Sequence, residues 1–196
     1  MSEGDGSKWT VVRPSRRPYR GDGESIYDEE MDRLYHLAQV NVALLREPLD
    51  SELLGDFVAA LDPVNAQADA ATGFVWRLQT DDGDATAVRV FDDDRLIVNM
   101  SVWESVEALA DYVYGNPEHR AVLKKRTKWF EKIAENHLVL WWIPAGHLPS
   151  VEEPQERLMF LRTHGPTPIA FTIKQQFSAP TSESVSADRD DWLCPT

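Results

Sequence analysis

The stretch "VNMSVW", Val98–Trp103, places an amide, a hydroxyl and an indole at alternate positions: Asn99, Ser101 and Trp103. Sixteen residues past Trp103 comes His119, just after a break in the chain at "YGNPEH". These groups are neutral donors and acceptors, suited to orienting a ligand oxygen or handling a proton, with the imidazole titrating near neutral pH. A buried amide costs a few kcal/mol unless it finds a partner. An asparagine in the middle of an apolar run therefore has a protein partner or a ligand. Asn99 and His119 are the candidate catalytic pair. Trp103, Trp129, Phe130, Gln39, Asn41, Arg77 and Ser101 are the candidate substrate-binding residues. His119 also has a plain structural reading, as a helix-start histidine bonded to nearby backbone.

The elements that must position these groups follow from periodicity. In an extended strand, alternate side chains share a face. Along Arg95–Trp103, Ile97, Asn99, Ser101 and Trp103 fall on one face, and Leu96, Val98, Met100 and Val102 on the other. Along Leu34–Leu44, Leu37, Gln39, Asn41 and Ala43 alternate with His36, Ala38, Val40 and Val42. Along Gly73–Thr80, Val75, Arg77 and Gln79 alternate with Phe74, Trp76 and Leu78. Each strand has an apolar face and a face bearing polar groups. If the polar faces align, Gln39, Asn41, Arg77, Asn99 and Ser101 meet. A partly solvated sheet face would look the same.

Further strands are expected at His137–Pro144 and Ile169–Phe177, with a short one at Ala87–Phe91 inside an acidic loop. A helix is expected to start at Asp50 or Ser51 and to be interrupted or kinked at Pro63. A second runs from Ser105 to Gly115, and a third restarts with Pro117 in its first turn. A fourth ends at Gly165, with Pro154 early enough to be tolerated. The order is β-α-β-β-α-β-α-β with the middle helix broken in two. It implies a ferredoxin-like α+β sandwich, an antiparallel sheet with helices on one face. The uncovered face, with Trp141 or Trp142 on it, would be closed by a second copy, so a homodimer joined sheet to sheet is expected.

A net charge of -13 gives no basic footprint for nucleic acid or for an anionic membrane surface. Cys194 is the single cysteine, so neither an intrachain disulfide nor a cysteine-based zinc site can form. The start lacks the pattern of a secretory signal, and no apolar run reaches spanning length, so a cytoplasmic protein is expected. The hydrolase elbow, Walker loop, dinucleotide turn and zincin motifs are missing. "DDGDATAVRVFDDDR" lacks the frame of a calcium loop and reads as a solvated acidic hairpin. His147 in "WWIPAGHLPS" reads as a loop anchor, and His36, His137 and His164 as edge or capping residues. Residues 1–31 and 178–196 read as tails around a domain of residues 32–177.

"YHLAQVNVA", "GFVWRLQ", "VNMSVWESVEAL", the H…R…WF helix, "LWWIPAGHLPS" and "GPTPIAFT" together resemble the family called domain of unknown function 3291. The resemblance covers about Leu34 to Phe177. It implies the dimeric α/β-barrel superfamily, in which two ferredoxin-like protomers pair their sheets. Relatives in that superfamily include cofactor-free monooxygenases, haem-degrading and other haem proteins, and small isomerases and cyclases. By that resemblance the protein is a small-molecule enzyme acting on a hydrophobic metabolite without a cofactor. Its alternatives are a haem protein with His119 as axial ligand and a noncatalytic binding module.

Overall fold

The computed structural model describes residues 34–80, 86, 93 and 95–180. Its centre is β1 (Tyr35–Leu45), an eleven-residue strand built on "YHLAQVNVALL". Along one edge β1 pairs antiparallel with β3 (Leu96–Trp103) over eight residue pairs, from Leu37↔Trp103 to Leu44↔Leu96. On its other edge it pairs with β5 (Leu138–Pro144), and further along with the two-residue β4 (Phe130–Glu131). The outer strand β2 (Phe74–Arg77) pairs with β3. The main order is thus β2-β3-β1-β5, all antiparallel, which is the ferredoxin-like arrangement.

Local chemistry sets the helices. A 3-10 turn (Glu52–Leu54) leads into α1 (Gly55–Asp69). Ser51 precedes that turn but its hydroxyl makes no capping bond. Helix α1 runs through Pro63 instead of stopping there. Proline removes one intrahelical bond and crowds the carbonyl four residues back. Burial of Phe57 and Ala68 on either side of it holds the helix through that defect. Helix α2 (Val106–Ala110) starts at Ser105, whose Oγ accepts from the Ala108 amide at 3.1 Å. It continues as a π turn over Asp111–Gly115. Asn116 then caps α3 (Pro117–Trp129), its Oδ1 accepting from the Glu118 and His119 amides. Helix α4 (Glu153–His164) carries Pro154 in its first turn and ends at Gly165, φ 73°.

Helices α1, α2 and α3 lie over the sheet face that carries Leu37 and Trp103. The opposite face was expected to be open. Instead α4 covers part of it, Leu158 and Leu161 packing with Val40, Met100, Val139 and Trp141 in one buried cluster. Trp141 is fully buried there and its Nε1 donates to Glu153 Oε1 of α4 at 2.8 Å. Trp142 lies on the other face, beside Phe171, and donates to the Phe177 carbonyl at 2.7 Å. The two tryptophans therefore part as alternation requires, but both contacts are made within the chain. The motive for a sheet-to-sheet dimer is accordingly removed.

Two further expectations change. Ile169–Phe177 is not a strand. It touches β5 through the single bridge Leu140↔Phe171 and closes small turns at Thr167↔Ala170 and Thr172↔Gln175. The apolar pattern there serves burial of Ala170 and Phe171 instead of a continuous ladder. The strand at Ala87–Phe91 and the tail of residues 1–31 lie outside the described residues, as does most of the tail of residues 178–196.

Gly73, which opens β2, has φ +77°. A Cβ there would sit 2.5 Å from the Ala108 Cβ. Its carbonyl accepts from the Glu104 amide at 2.7 Å, which ties the start of β2 to the end of β3. Gly73→Ala should cost about 1–3 kcal/mol for the backbone alone, with the clash adding to it. Urea denaturation checks this, as a clear fall in the midpoint.

Candidate functional site: a polar row on the helix-facing sheet

Strand register decides which candidates meet. Gln39 is paired with Ser101 and Asn41 with Asn99, so four polar side chains line up across β1 and β3. Gln39 and Ser101 are more than nine-tenths buried. Gln39 Nε2 donates to Asn99 Oδ1 at 3.0 Å and to Ser101 Oγ at 2.9 Å. Trp103 Nε1 donates to the same Ser101 Oγ at 2.8 Å. Among the described residues Asn41 Oδ1 is buried without a partner, and Asn99 is exposed although it stands mid-strand. The helix layer does not close over Asn99.

Apolar clusters stand at both ends of this row. At one end are Leu37, Trp103, Leu109, Leu140 and Phe171. At the other are Leu45, Leu54, Phe57 and Trp129, with Ile97 and Phe130 packed against them. Ile97 and Trp103 are six residues apart on β3, about 20 Å along the strand. The row is thus a polar strip in the middle of an apolar surface. Trp129 and Phe130 do not stand beside Trp103. Both contact Phe57, at 5.5 and 5.1 Å between ring centroids, and Trp129 is almost fully buried.

Arg77 pairs with Ser101 across β2 and β3. A register shift between Phe74 and Trp76 puts both Phe74 and Arg77 on the helix-facing side, whereas simple alternation had separated them. Such a bulge re-aims side chains. Phe74 packs edge-on against Trp103 at 5.3 Å. Arg77 binds Asp69 at the end of α1, Nε to Oδ1 at 2.8 Å and Nη2 to Oδ2 at 3.2 Å. The row's one charged neighbour among the candidates is therefore neutralised.

His119 does not reach the row. Tyr112 stands between, stacked on Trp103 at 5.2 Å and tilted against His119 at 4.9 Å. Periodicity missed Tyr112 because it sits in the π turn, where a helical wheel misplaces the side chain. Its hydroxyl donates to the Val64 carbonyl at 2.9 Å. Burial, with Asp69 nearby and Arg77 opposing, pushes the phenol pKa up to about 12. His119 Nδ1 lies 3.1 Å from the Val113 carbonyl. A carbonyl only accepts, so Nδ1 carries the proton and Nε2 is the basic nitrogen. Burial lowers the imidazole pKa, partly offset by that hydrogen bond. His36 departs from the surface expectation: it is half-buried, its Nδ1 has no partner among the described residues, and burial lowers its pKa against the raising effect of Glu104. His147 anchors its loop as expected, Nε2 lying 3.3 Å from Glu153 Oε2.

A cleft of about 640 Å³ opens on the far side of Tyr112. Gln67, Thr72, Glu104, Asp111 and Asn116 are among its lining residues. Asn99, Trp103 and His119 do not line it, and Tyr112 stands between the last two.

The sequence of residues 36–187 matches the family described as Domain of unknown function (DUF3291). The chain belongs to that family. The DUF3291 match runs past the expected domain end at Phe177, into the segment read as a tail. No curated protein matches the chain. Among solved structures, the chain is similar to Rv0793 from Mycobacterium tuberculosis, at 14% identity and a TM-score of 0.37, over 59% of this chain and 97% of that one. It is also similar to SnoaB, a cofactor-independent oxygenase from Streptomyces nogalater, at 15% identity and a TM-score of 0.36, over 58% of this chain and 95% of that one. A third is a conserved protein from Methanosarcina mazei Go1, at 8% identity and a TM-score of 0.39, over 59% and 96%.

The lowered histidine pKa values give a stability profile. Folding favours neutral His119 and His36, so the unfolded chain takes up protons first as pH falls through about 6.5. Their contribution is fully present above that value and is lost below it. Melting temperature should be flat above pH 7 and fall below pH 6.5. His119→Asn, which keeps a donor for the Val113 carbonyl but cannot titrate, should flatten part of that fall in a calorimetric pH series.

Proposed function

We propose that this DUF3291 protein is a small-molecule enzyme acting on a hydrophobic metabolite at the Gln39–Asn41–Asn99–Ser101 row, and that it works without a cofactor. The supporting observation is Asn99, an exposed amide at the middle of a core strand, in a row of hydrogen-bonded neutral groups with apolar clusters at both ends. Apolar walls with a few convergent polar groups are what a small-molecule site needs. Among the described residues the row itself carries no titratable side chain. It therefore acts by orienting a substrate oxygen and polarising it, as preorganised donors do. Trp103, almost fully buried against Ser101, Phe74 and Tyr112, fixes one end of the row. Cofactor-free oxygenation, cyclisation and isomerisation each proceed through an activated carbon next to such an oxygen.

A haem reading has less behind it. His119 Nε2 is free to ligate, but its ring packs against Tyr112. The cleft on the other side of Tyr112 is lined by Glu104 and Asp111, whereas a haem face wants apolar walls. Adding haem should give no Soret shift that His119→Ala abolishes.

An oxygen electrode with 1,8-dihydroxyanthrone tests the oxygenase form. This hydrophobic carbon acid reacts with O₂ slowly unaided. The wild type should raise its uptake rate, and Asn99→Ala should lower the enzymic rate of the folded protein by about tenfold or more, beyond the modest fall in melting temperature that loss of its bond to Gln39 brings. A wild-type rate equal to the spontaneous one would exclude oxygenation of this substrate class.

The same proposal takes the working unit as a homodimer, joined through surfaces other than the α4-covered sheet face; exposed Met159 and Ile169 provide apolar contact area. Light scattering should give about twice the 22.3 kDa chain mass. A species at the chain mass would remove the dimer and leave the site untouched.

A further inference from the structure

The hydrogen-bond valences of the polar row do not all close within the row. A hydroxyl has one proton to give and two lone pairs. Ser101 Oγ takes one proton from Gln39 Nε2 and one from Trp103 Nε1. Both lone pairs are then used, and the hydroxyl must donate. With the Gln39 amide nitrogen facing both Asn99 Oδ1 and Ser101 Oγ, no acceptor for that proton lies within hydrogen-bond distance among the described residues. Yet Ser101 is only 7% exposed, so water has little access to it. A buried donor left unmet is costly, and natural structures rarely keep one without a use.

The neighbours define what would meet it. Gln39 spends both Nε2 protons inside the row. Asn99 spends its Oδ1 on Gln39, so its exposed end presents Nδ2 protons. On the β2 side, the residue paired with Ser101 is Arg77, another donor, held to Asp69. Beside the unmet acceptor Asn41 Oδ1, the spare valence at Ser101 and Asn99 is donor. It is built without a net charge and in a partly buried setting, where donors act most strongly on a developing negative oxygen.

We propose that the Ser101 hydroxyl is a ligand-binding donor, and that with Asn99 Nδ2 it binds an enolate or phenolate oxygen of a flat hydrophobic ligand. This rests on the function proposed above, and it names the substrate class as oxyanions of weakly acidic carbon or phenolic compounds. Trp103 positions the donor: its indole N–H turns the Ser101 proton outward, while its ring is itself buried against Phe74 and Tyr112.

The test uses the full-length protein and two probes read by tryptophan fluorescence. One is 2-hydroxy-1,4-naphthoquinone, an enolate at neutral pH; the other is naphthalene, of similar shape without the oxygens. Wild type should bind the enolate more tightly. Ser101→Ala should weaken enolate binding by about 10- to 100-fold, the range for a hydrogen bond to a charged group, and leave naphthalene unchanged. Ser101→Thr, which keeps the hydroxyl, should restore enolate affinity. If the alanine variant does not fold, Ser101→Cys, with its weak S–H donor, should show the same selective loss. Equal loss for both probes would make Ser101 a purely structural residue and overturn the proposal. Unchanged enolate affinity would mean that the proton is spent on the Gln39 amide oxygen, with that amide turned over, and would overturn it too. A wild type that binds neither probe would instead sink the site itself, and with it the function proposed for the row.

Discussion

The pairing of β1 with β3 is the constraint on which the rest depends, because a strand's side chains alternate and one residue of slip exchanges its faces. In the observed register Gln39 meets Ser101 and Asn41 meets Asn99. Four polar groups therefore fall together on one face, while Ala38, Val40, Val42, Val98, Met100 and Val102 fall together on the other. A slip would bury amides among these aliphatic residues at a cost of a few kcal/mol each. The polar row is in this sense also a register device. Its hydrogen bonds are made only in the correct alignment, and the same alignment brings the proposed site together.

The two sheet faces divide the work. The apolar face is closed by α4, and the link is specific: Trp141 donates to Glu153, which also lies 3.6 Å from Arg157 Nη2. The face toward α1, α2 and α3 is closed at its two ends by aromatic clusters and left open at Asn99. Large aromatic side chains suit this arrangement, since a few of them bury much area at fixed points, and between them Gln39 and Ser101 are buried while Asn99 is exposed. Phe74, Trp103 and Tyr112 do this at one end, and Phe57, Trp129 and Phe130 at the other.

Tyr112 shows why some of the site was hidden. A π turn inserts an extra residue into a helical turn and rotates the residues after it. Reading "ADYVYGNPEH" as a helix that breaks at Gly115–Pro117 leaves Tyr112 unremarked and lets His119 turn back across the sheet. In the folded chain Tyr112 occupies the space next to Trp103, and His119 supports it from behind through the Val113 carbonyl and the ring contact. The β2 register shift has the same kind of effect on Phe74. Both are single-residue departures from periodicity, and both lie beside the row.

From the sequence alone came the ferredoxin-like order of elements, the faces of β1 and β3, and the condition that Gln39, Asn41, Asn99 and Ser101 meet if those faces align; the register that aligns them came from the fold. Period-two alternation and helix-start signals such as Ser105 and Pro117 are local, so they can be read without the fold. Only the tertiary structure decided that α4 would cover the second face and that Ile169–Phe177 would fold into turns. It also decided that Trp129 and His119 would stand apart from Trp103. Each of these depends on what packs against a segment from far along the chain, and an apolar side chain does not specify which neighbour will bury it.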